Sequence, residues 1–209
     1  MKPHMCRLFL TAEALLYALF LALDFTHVAN SIPVKYTSVV FCLLVSLSAA
    51  RTVDGRLTTL ALAFTAGADW FLLVLDHCYV LGVSLFCVVQ VLYFLRLVHW
   101  RGQVCPPLLV VRLAPLVTFF LIRDTLDALA LLYFTNLVCN VLEAVRILPR
   151  SNRQRLFVAG LTLFACCDIC VGAFHLGLLT DFTRYGMWLF YLPSQVLLTL
   201  SAQPKGDYL

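Results

Sequence analysis

Two aspartates stand inside runs of sequence that otherwise hold almost nothing polar: Asp69 in Phe64-Thr-Ala-Gly-Ala-Asp69 and Asp168 in Leu163-Phe-Ala-Cys-Cys-Asp168. In hydrocarbon an acidic side chain near a helix centre costs roughly 2.5–3.5 kcal/mol, so such residues persist mainly where they bind or react. Two carboxyls sharing a low-dielectric site can hold different protonation states, which suits a general acid and a general base. Each acid is followed by a segment carrying Tyr and Gln. Gln90 and Tyr93 lie at i, i+3, and Trp188, Tyr191 and Gln195 at i, i+3, i+7, so each set shares one helix face. Their polar ends are suited to orient water or a substrate oxygen. Taken singly, Gln90 or Tyr93 is better explained as a helix-to-helix hydrogen bond, worth about 0.6 kcal/mol in membrane proteins. That small gain does not offset the insertion cost of two acids at similar depth, which favours a site.

The elements that position these residues follow from composition. Of 209 residues, 62% are hydrophobic and 12% charged, against about 45–50% and about 25% in a soluble domain. A water-soluble fold cannot hide that much apolar surface, whereas lipid is a solvent for it. Apolar stretches near 7–28, 34–50, 57–75, 79–99, 104–122, 125–146, 155–179 and 185–202 predict an all-α bundle of about eight transmembrane helices in one integral membrane domain. The first stretch carries Glu13 and Asp24 and is too long for the apolar core of a secretory signal, so it is read as a span. Asp76-His77 marks a tight hairpin, and Pro106, Pro107 and Pro115 make the fifth span the one expected to kink.

Charge placement orients the bundle. Eight spans with both termini cytoplasmic put Lys2, Arg7, Arg51, Arg56, Arg96, Arg101, Arg146, Arg150, Arg153, Arg155 and Lys205 on the inner side, and only Lys35, Arg123 and Arg184 on the outer. This pattern is no nucleic-acid footprint. Glu13, Glu143 and Arg146 read as snorkelling side chains, and Arg112 in the fifth span calls for an acid or a lipid phosphate. The nine cysteines give no disulfide framework, with Cys78 alone in an outer loop. Cys166, Cys167 and Cys170 are small packing residues before they are metal ligands. His27, His77 and His175 gather towards the outer side without a zinc-binding spacing. No metal or cofactor is called for. The echo between Phe64–Asp69 and Leu163–Asp168 is consistent with a four-plus-four internal repeat. Small residues flank each acid, Ala61 and Thr65 near Asp69 and Ala165 and Gly172 near Asp168, as close helix packing requires.

Read in order, Lys35 early in the second span, Ala-Gly-Ala-Asp69, the Phe86 to Tyr93 segment ending Gln-Val-Leu-Tyr, Cys-Cys-Asp168 and Tyr191-Leu-Pro-Ser-Gln195 resemble the YhhN/TMEM86 lysoplasmalogenase family. The resemblance covers nearly the whole chain, including its length and eight-span layout. The chain departs from the family pattern at Gln90, where a His is usual, at Lys35-Tyr36 for Lys-Pro, at Ala68 for Gly and at Ser194-Gln195 for Ala-Gln. The resemblance implies hydrolysis of the vinyl ether bond of a lysophospholipid, lysoplasmalogen, to a fatty aldehyde and a glycerophosphoethanolamine or glycerophosphocholine. On that basis Asp69 and Asp168 form the acid and base pair. Gln90, Tyr93, Tyr191 and Gln195 orient water and the glycerol oxygens, and Lys35 meets the lipid phosphate near the outer entrance. The chemistry matches paired carboxyls, because protonating the vinyl ether creates an oxocarbenium ion that water captures, as in glycosidases. Two other functions share the same residues: a multi-pass carrier or lipid-binding protein around a midplane pocket, and a zinc-dependent lipid amidase using the outer histidines.

Overall fold

The computed structural model describes residues 2–147, 151–178 and 180–203. They form helices α1 (Pro3–Thr26), α2 (Ile32–Ser46), α3 (Val53–Asp69), α4 (Tyr79–Arg101), α5 (Pro106–Leu113), α6 (Thr118–Leu121), α7 (Thr125–Arg146), α8 (Asn152–His175) and α9 (Thr180–Ser201). A 3-10 turn at Leu47–Ala49 extends α2, a π turn at Trp70–Val74 extends α3, and a 3-10 turn at Ala114–Val117 joins α5 and α6 into one broken rod. The resulting eight rods coincide with the eight expected spans. Six of the helices are long and apolar enough to cross a bilayer, and Pro106–Leu121 is a shorter apolar one. The chain is a polytopic membrane helical bundle, and Phe120, Val28 and Leu121, at 90%, 81% and 76% exposed, belong to the apolar surface that lipid covers. Arg150, Lys205, Leu179 and the side chain of Asp181 lie outside the described residues.

Local sequence explains where the rods begin and break. Thr52 Oγ1 accepts the Gly55 N–H at 2.9 Å to cap α3, Asp124 accepts the Leu126 N–H at 2.7 Å to cap α7, and Ser151 with Gln154 closes a capping box on α8. Pro115 stands in the 3-10 turn that interrupts the fifth rod, because a proline ring clashes with the carbonyl four residues earlier. Between α3 and α4 the chain reverses through Asp76 and Cys78, both at positive φ (48° and 56°), and the Tyr79 hydroxyl donates to Asp76 Oδ1 at 2.7 Å. The tight hairpin expected at Asp76-His77 is therefore present.

The start of α1 and the end of α9 meet at one face. Cys6 and Phe9 of α1 pack with Cys42 of α2 and Leu200 of α9, and Ser48 donates to Gln203 Oε1 at 3.2 Å. We call this the terminal face and the opposite one the distal face. Packing follows the four-plus-four pattern: α1 on α2, α2 on α3 and α3 on α4 are matched by the broken rod on α7, α7 on α8 and α8 on α9. Between the halves, α2 on α9 is matched by α7 on α4.

Three buried charge clusters fasten the bundle, and they correct several sequence readings. Arg96, assigned to the cytoplasmic rim, is fully buried. Its Nε lies 2.7 Å and its Nη2 3.1 Å from the Asp54 carboxylate, and its Nη1 and Nη2 each reach Ser201 at 2.8 Å. The guanidinium also covers Phe157 at 4.4 Å and Trp100 at 4.6 Å, and Arg153 makes a second ion pair to Asp54. Four helices, α3, α4, α8 and α9, are thereby tied at the terminal face. Glu143 does not snorkel: it is 1% exposed and accepts from Arg112 at 2.9 Å and Arg101 at 3.4 Å, which answers the demand of Arg112 for an acid. Glu13 does not snorkel either; it accepts from Ser38 Oγ at 2.5 Å and faces Cys42 Sγ at 3.5 Å. Among the small residues flanking Asp168, Gly172 faces open space and serves no close approach. Removing one partner of a buried ion pair strands the other charge, at about 3–5 kcal/mol. Arg96→Ala is therefore expected to lower unfolding stability in detergent by about that much, whereas Arg155→Ala, on an exposed rim side chain, should change it by less than about 0.5 kcal/mol.

Candidate functional site

Asp69 is the last residue of α3, on a face of buried small side chains that includes Ala61, Thr65, Ala66 and Ala68. Immediately beyond it the backbone switches to π geometry, with Leu75 N–H bonding the Trp70 carbonyl at 2.9 Å. A π turn widens the helix by one residue and re-aims the side chains next to it. Tyr191 approaches from α9, where Pro193 removes a backbone donor. The Leu189 carbonyl that Pro193 leaves free accepts the Tyr17 hydroxyl of α1 at 3.3 Å. Tyr191 donates its hydroxyl to Asp69 Oδ2 at 2.5 Å. Asp168 of α8 is held likewise by a phenol, the hydroxyl of Tyr133 on α7.

The two acids share no hydrogen bond; each is bonded instead to its own phenol. Helices α3 and α8 do not pack directly, and each acid is bonded to a phenol on a helix that does pack against its own, α9 for Asp69 and α7 for Asp168. Rings connect their phenol partners: Phe164 meets Tyr191 at 5.7 Å and Phe86 at 5.8 Å, and Phe86 meets Tyr133 at 5.6 Å between centroids. Asp69 is 6% exposed, while Asp168 is half-buried. Asp69 precedes the end of the π turn at Val74, and Asp168 precedes the end of α8 at His175. At about 1.5 Å per residue both lie about 7–10 Å from the distal ends of their rods, in the distal half rather than at mid-span.

The other predicted residues divide into two groups. Lys35 is no open cation at an entrance: it is 5% exposed, pairs with Asp24 at 2.7 Å and lies over Trp188 at 4.4 Å and Phe20 at 5.4 Å. Ser31 donates to the other oxygen of Asp24. Trp188 in turn touches Tyr191 at 5.9 Å, so Lys35 reaches the acids only through those two rings. Gln90, Tyr93 and Gln195 bond to neither acid. Asn140 of α7 donates to Gln90 Oε1 at 2.9 Å and to the Gln90 carbonyl at 3.0 Å, and Gln195 donates to Ser194 Oγ at 3.3 Å. Gln90 Nε2, Tyr93 OH, Asn140 Oδ1, Gln195 Oε1 and Thr65 Oγ1 have no partner among the described residues, although all five residues are 0% exposed. An unsatisfied buried polar group costs about 1–3 kcal/mol, so this layer is expensive as it stands.

The sequence reading missed Tyr133 and Asn140. A signal was present: Tyr133, Asn136 and Asn140 repeat the i, i+3, i+7 spacing of Trp188, Tyr191 and Gln195. Among the described residues no group of three His, Cys, Asp or Glu side chains is arranged to hold a metal ion, so His27, His77 and His175 do not combine into a zinc site.

A helical bundle with two phenol-bonded carboxyls set among linked aromatic rings defines a polytopic membrane protein with acidic side chains inside its spans. Comparison with known families matches residues 30–202 to the YhhN family, and the chain belongs to that family. The matched region takes in every residue of the acidic centre. Comparison with curated proteins and with solved structures finds no significant match. A hydrogen bond to a charged group is worth about 1.5–3 kcal/mol. A double-mutant cycle on Tyr191→Phe and Asp69→Asn, read by unfolding in detergent, is therefore expected to give a coupling of about that size, and a cycle on Tyr191→Phe with Asp168→Asn a clearly smaller one.

Proposed function

We propose that the protein is a lysoplasmalogenase-type hydrolase in which Asp69 and Asp168 cleave the vinyl ether of a lysophospholipid. The observation that carries this reading is the treatment of the two carboxyls: each is held by a phenol and, among the described residues, by no cation, and the two phenols are linked through the rings of Phe86 and Phe164. Membership of the YhhN family agrees with it. Asp168, the less buried residue of the two, protonates the β-carbon of the vinyl ether, which leaves an oxocarbenium ion. Asp69, the more buried one, takes a proton from the attacking water. The hemiacetal collapses to a fatty aldehyde and the free glycerol hydroxyl, so one water is consumed for each ether cleaved. Tyr133 and Tyr191 position the carboxyls. Lys35, held beside Trp188 and Asp24 towards the distal face, exchanges its carboxylate partner for the lipid phosphate when substrate enters.

General acid–base groups contribute about 10²–10⁴-fold. With purified protein and lysoplasmalogen, Asp69→Asn and Asp168→Asn are expected to lower aldehyde release at least about 100-fold, and Tyr133→Phe to lower it less. Release unchanged in both Asn variants would remove the pair from the chemistry. Substrate uptake by reconstituted vesicles without any aldehyde would replace hydrolysis with transport.

We also propose that the terminal face is cytoplasmic, on the strength of the exposed cations there, Lys2, Arg7, Arg51, Arg56, Arg101, Arg146 and Arg155. Cys105, in the loop before α5, reports on that face, and the exposed Cys78 on the distal one. The Leu108 N–H at the start of α5 holds the Cys105 thiol below its ordinary range, so more thiolate is present at neutral pH. An impermeant maleimide should modify Cys78 from outside intact cells, and Cys105 only in inverted vesicles. The rate at Cys105 should already be high near pH 7 and rise less with pH than that of an ordinary thiol.

A further inference from the structure

The layer of unpartnered groups lies directly beneath the acids, on the terminal side. Thr65 is one helical turn from Asp69 on α3, and Gln195 one turn from Tyr191 on α9. The Asp69–Tyr191 bond therefore sets Thr65 and Gln195 at a common depth. Gln90 joins them by a second constraint. The Arg96 guanidinium is bonded to Ser201, and Gln90 precedes Arg96 by the same six residues by which Gln195 precedes Ser201. Asn140 is carried in by its bonds to Gln90, and Tyr93 lies one turn further towards Arg96.

The free valences of this layer are complementary. Gln90 Nε2 and Tyr93 OH have hydrogens to give, Asn140 Oδ1 and Gln195 Oε1 have lone pairs to fill, and Thr65 Oγ1 can do either. They do not pair with one another, although they come from four helices, α3, α4, α7 and α9, that with α8 pack in a closed ring, α3 on α4, α4 on α7, α7 on α8, α8 on α9 and α9 on α3. A small molecule that donates and accepts in several directions satisfies all of them, and a site of at least two to four polar groups is what a buried water needs. A bare cation does not fit, since it could take the free oxygens but would leave the donor Gln90 Nε2 unpaired. A lipid chain does not fit either, since it would leave every one of these groups unpaired.

We propose that Thr65, Gln90, Tyr93, Asn140 and Gln195 bind a cluster of internal water one turn below Asp69, and that this cluster supplies the water consumed at the acidic centre. The hydration itself stands on the geometry alone; the supply role rests on the hydrolase reading above. The arrangement separates the two reactants, with lipid entering on the Lys35 and Trp188 side and water held on the opposite side of Asp69.

The test is X-ray hydroxyl-radical footprinting of the intact protein in lipid nanodiscs, where radicals arise from bound water itself. Tyr93 and Phe157 are both 0% exposed and touch one another at 5.6 Å, but only Tyr93 belongs to the layer. After correction for intrinsic ring reactivity, Tyr93 is expected to be modified at least about fivefold faster than Phe157. Equal rates in the unaltered protein would overturn the proposal without recourse to any variant. In Gln195→Leu, checked for retained fold by its unfolding temperature, modification of Tyr93 should fall at least about threefold, and Thr65→Val should act in the same direction. Unchanged modification in both would overturn it. Fast Tyr93 modification without aldehyde release would instead sink the hydrolase reading alone, and aldehyde release with a dry Tyr93 the water cluster alone.

Discussion

Inside a bilayer no solvent rescues a polar group, so each one present must find its hydrogen bonds within the protein or waste free energy. That constraint organises this bundle. Asp54 takes Arg96 and Arg153, Glu143 takes Arg112 and Arg101, and Asp24 takes Lys35. Each ties one helix to another and neutralises its acid, and the Arg153–Asp54 pair joins α8 to α3 across the two halves. Asp69 and Asp168 are treated differently, receiving one phenol apiece and, among the described residues, no cation. Glu13 is also held by neutral donors, a hydroxyl and a thiol, but it bridges only α1 and α2. The acidic centre is thus set apart by what the fold withholds from it.

The backbone irregularities gather around the same centre. The π turn follows Asp69, Pro193 follows Tyr191 by two residues, and the Leu189 carbonyl that Pro193 frees is taken by a residue of α1. Such departures weaken a helix and are retained where they re-aim a side chain. Here they bring the end of α3 and the middle of α9 to a common point. The charge clusters at the terminal face, where Arg96 is held by Asp54 and Ser201, supply the rigidity that these breaks remove.

The two halves share their packing order but not their chemistry. If the repeat held at the site, the bond from Tyr191 on α9 to Asp69 on α3 would be matched by one from Tyr93 on α4 to Asp168 on α8. Instead Tyr133 of α7 serves Asp168, and the Tyr93 hydroxyl is left without a partner among the described residues. The two acids consequently have unequal surroundings, one bonded across the halves by Tyr191 of α9 and the other within its own half by Tyr133 of α7.

Hydrophobic run length alone determined the eight rods, because spanning hydrocarbon demands about twenty apolar residues whatever the neighbours are. The breaks followed from Pro115 and from Asp76-His77, whose backbone preferences are local. The special standing of Asp69 and Asp168 was also legible, since the cost of an acid in lipid depends on its surroundings rather than its partner. Partner choice was not legible. Arg96 read as a rim cation and proved fully buried; Glu13 and Glu143 read as snorkelling and proved internal; Gln90 and Gln195 read as groups around the acids and lie a turn away from them. Tyr133 went unnoticed altogether. Helical periodicity says which side chains share a face, but which face meets which, and at what depth, depends on the rotation and register of six or more helices packed together. Only the tertiary structure sets those quantities, because they minimise unpaired polar groups and empty space over the whole bundle at once.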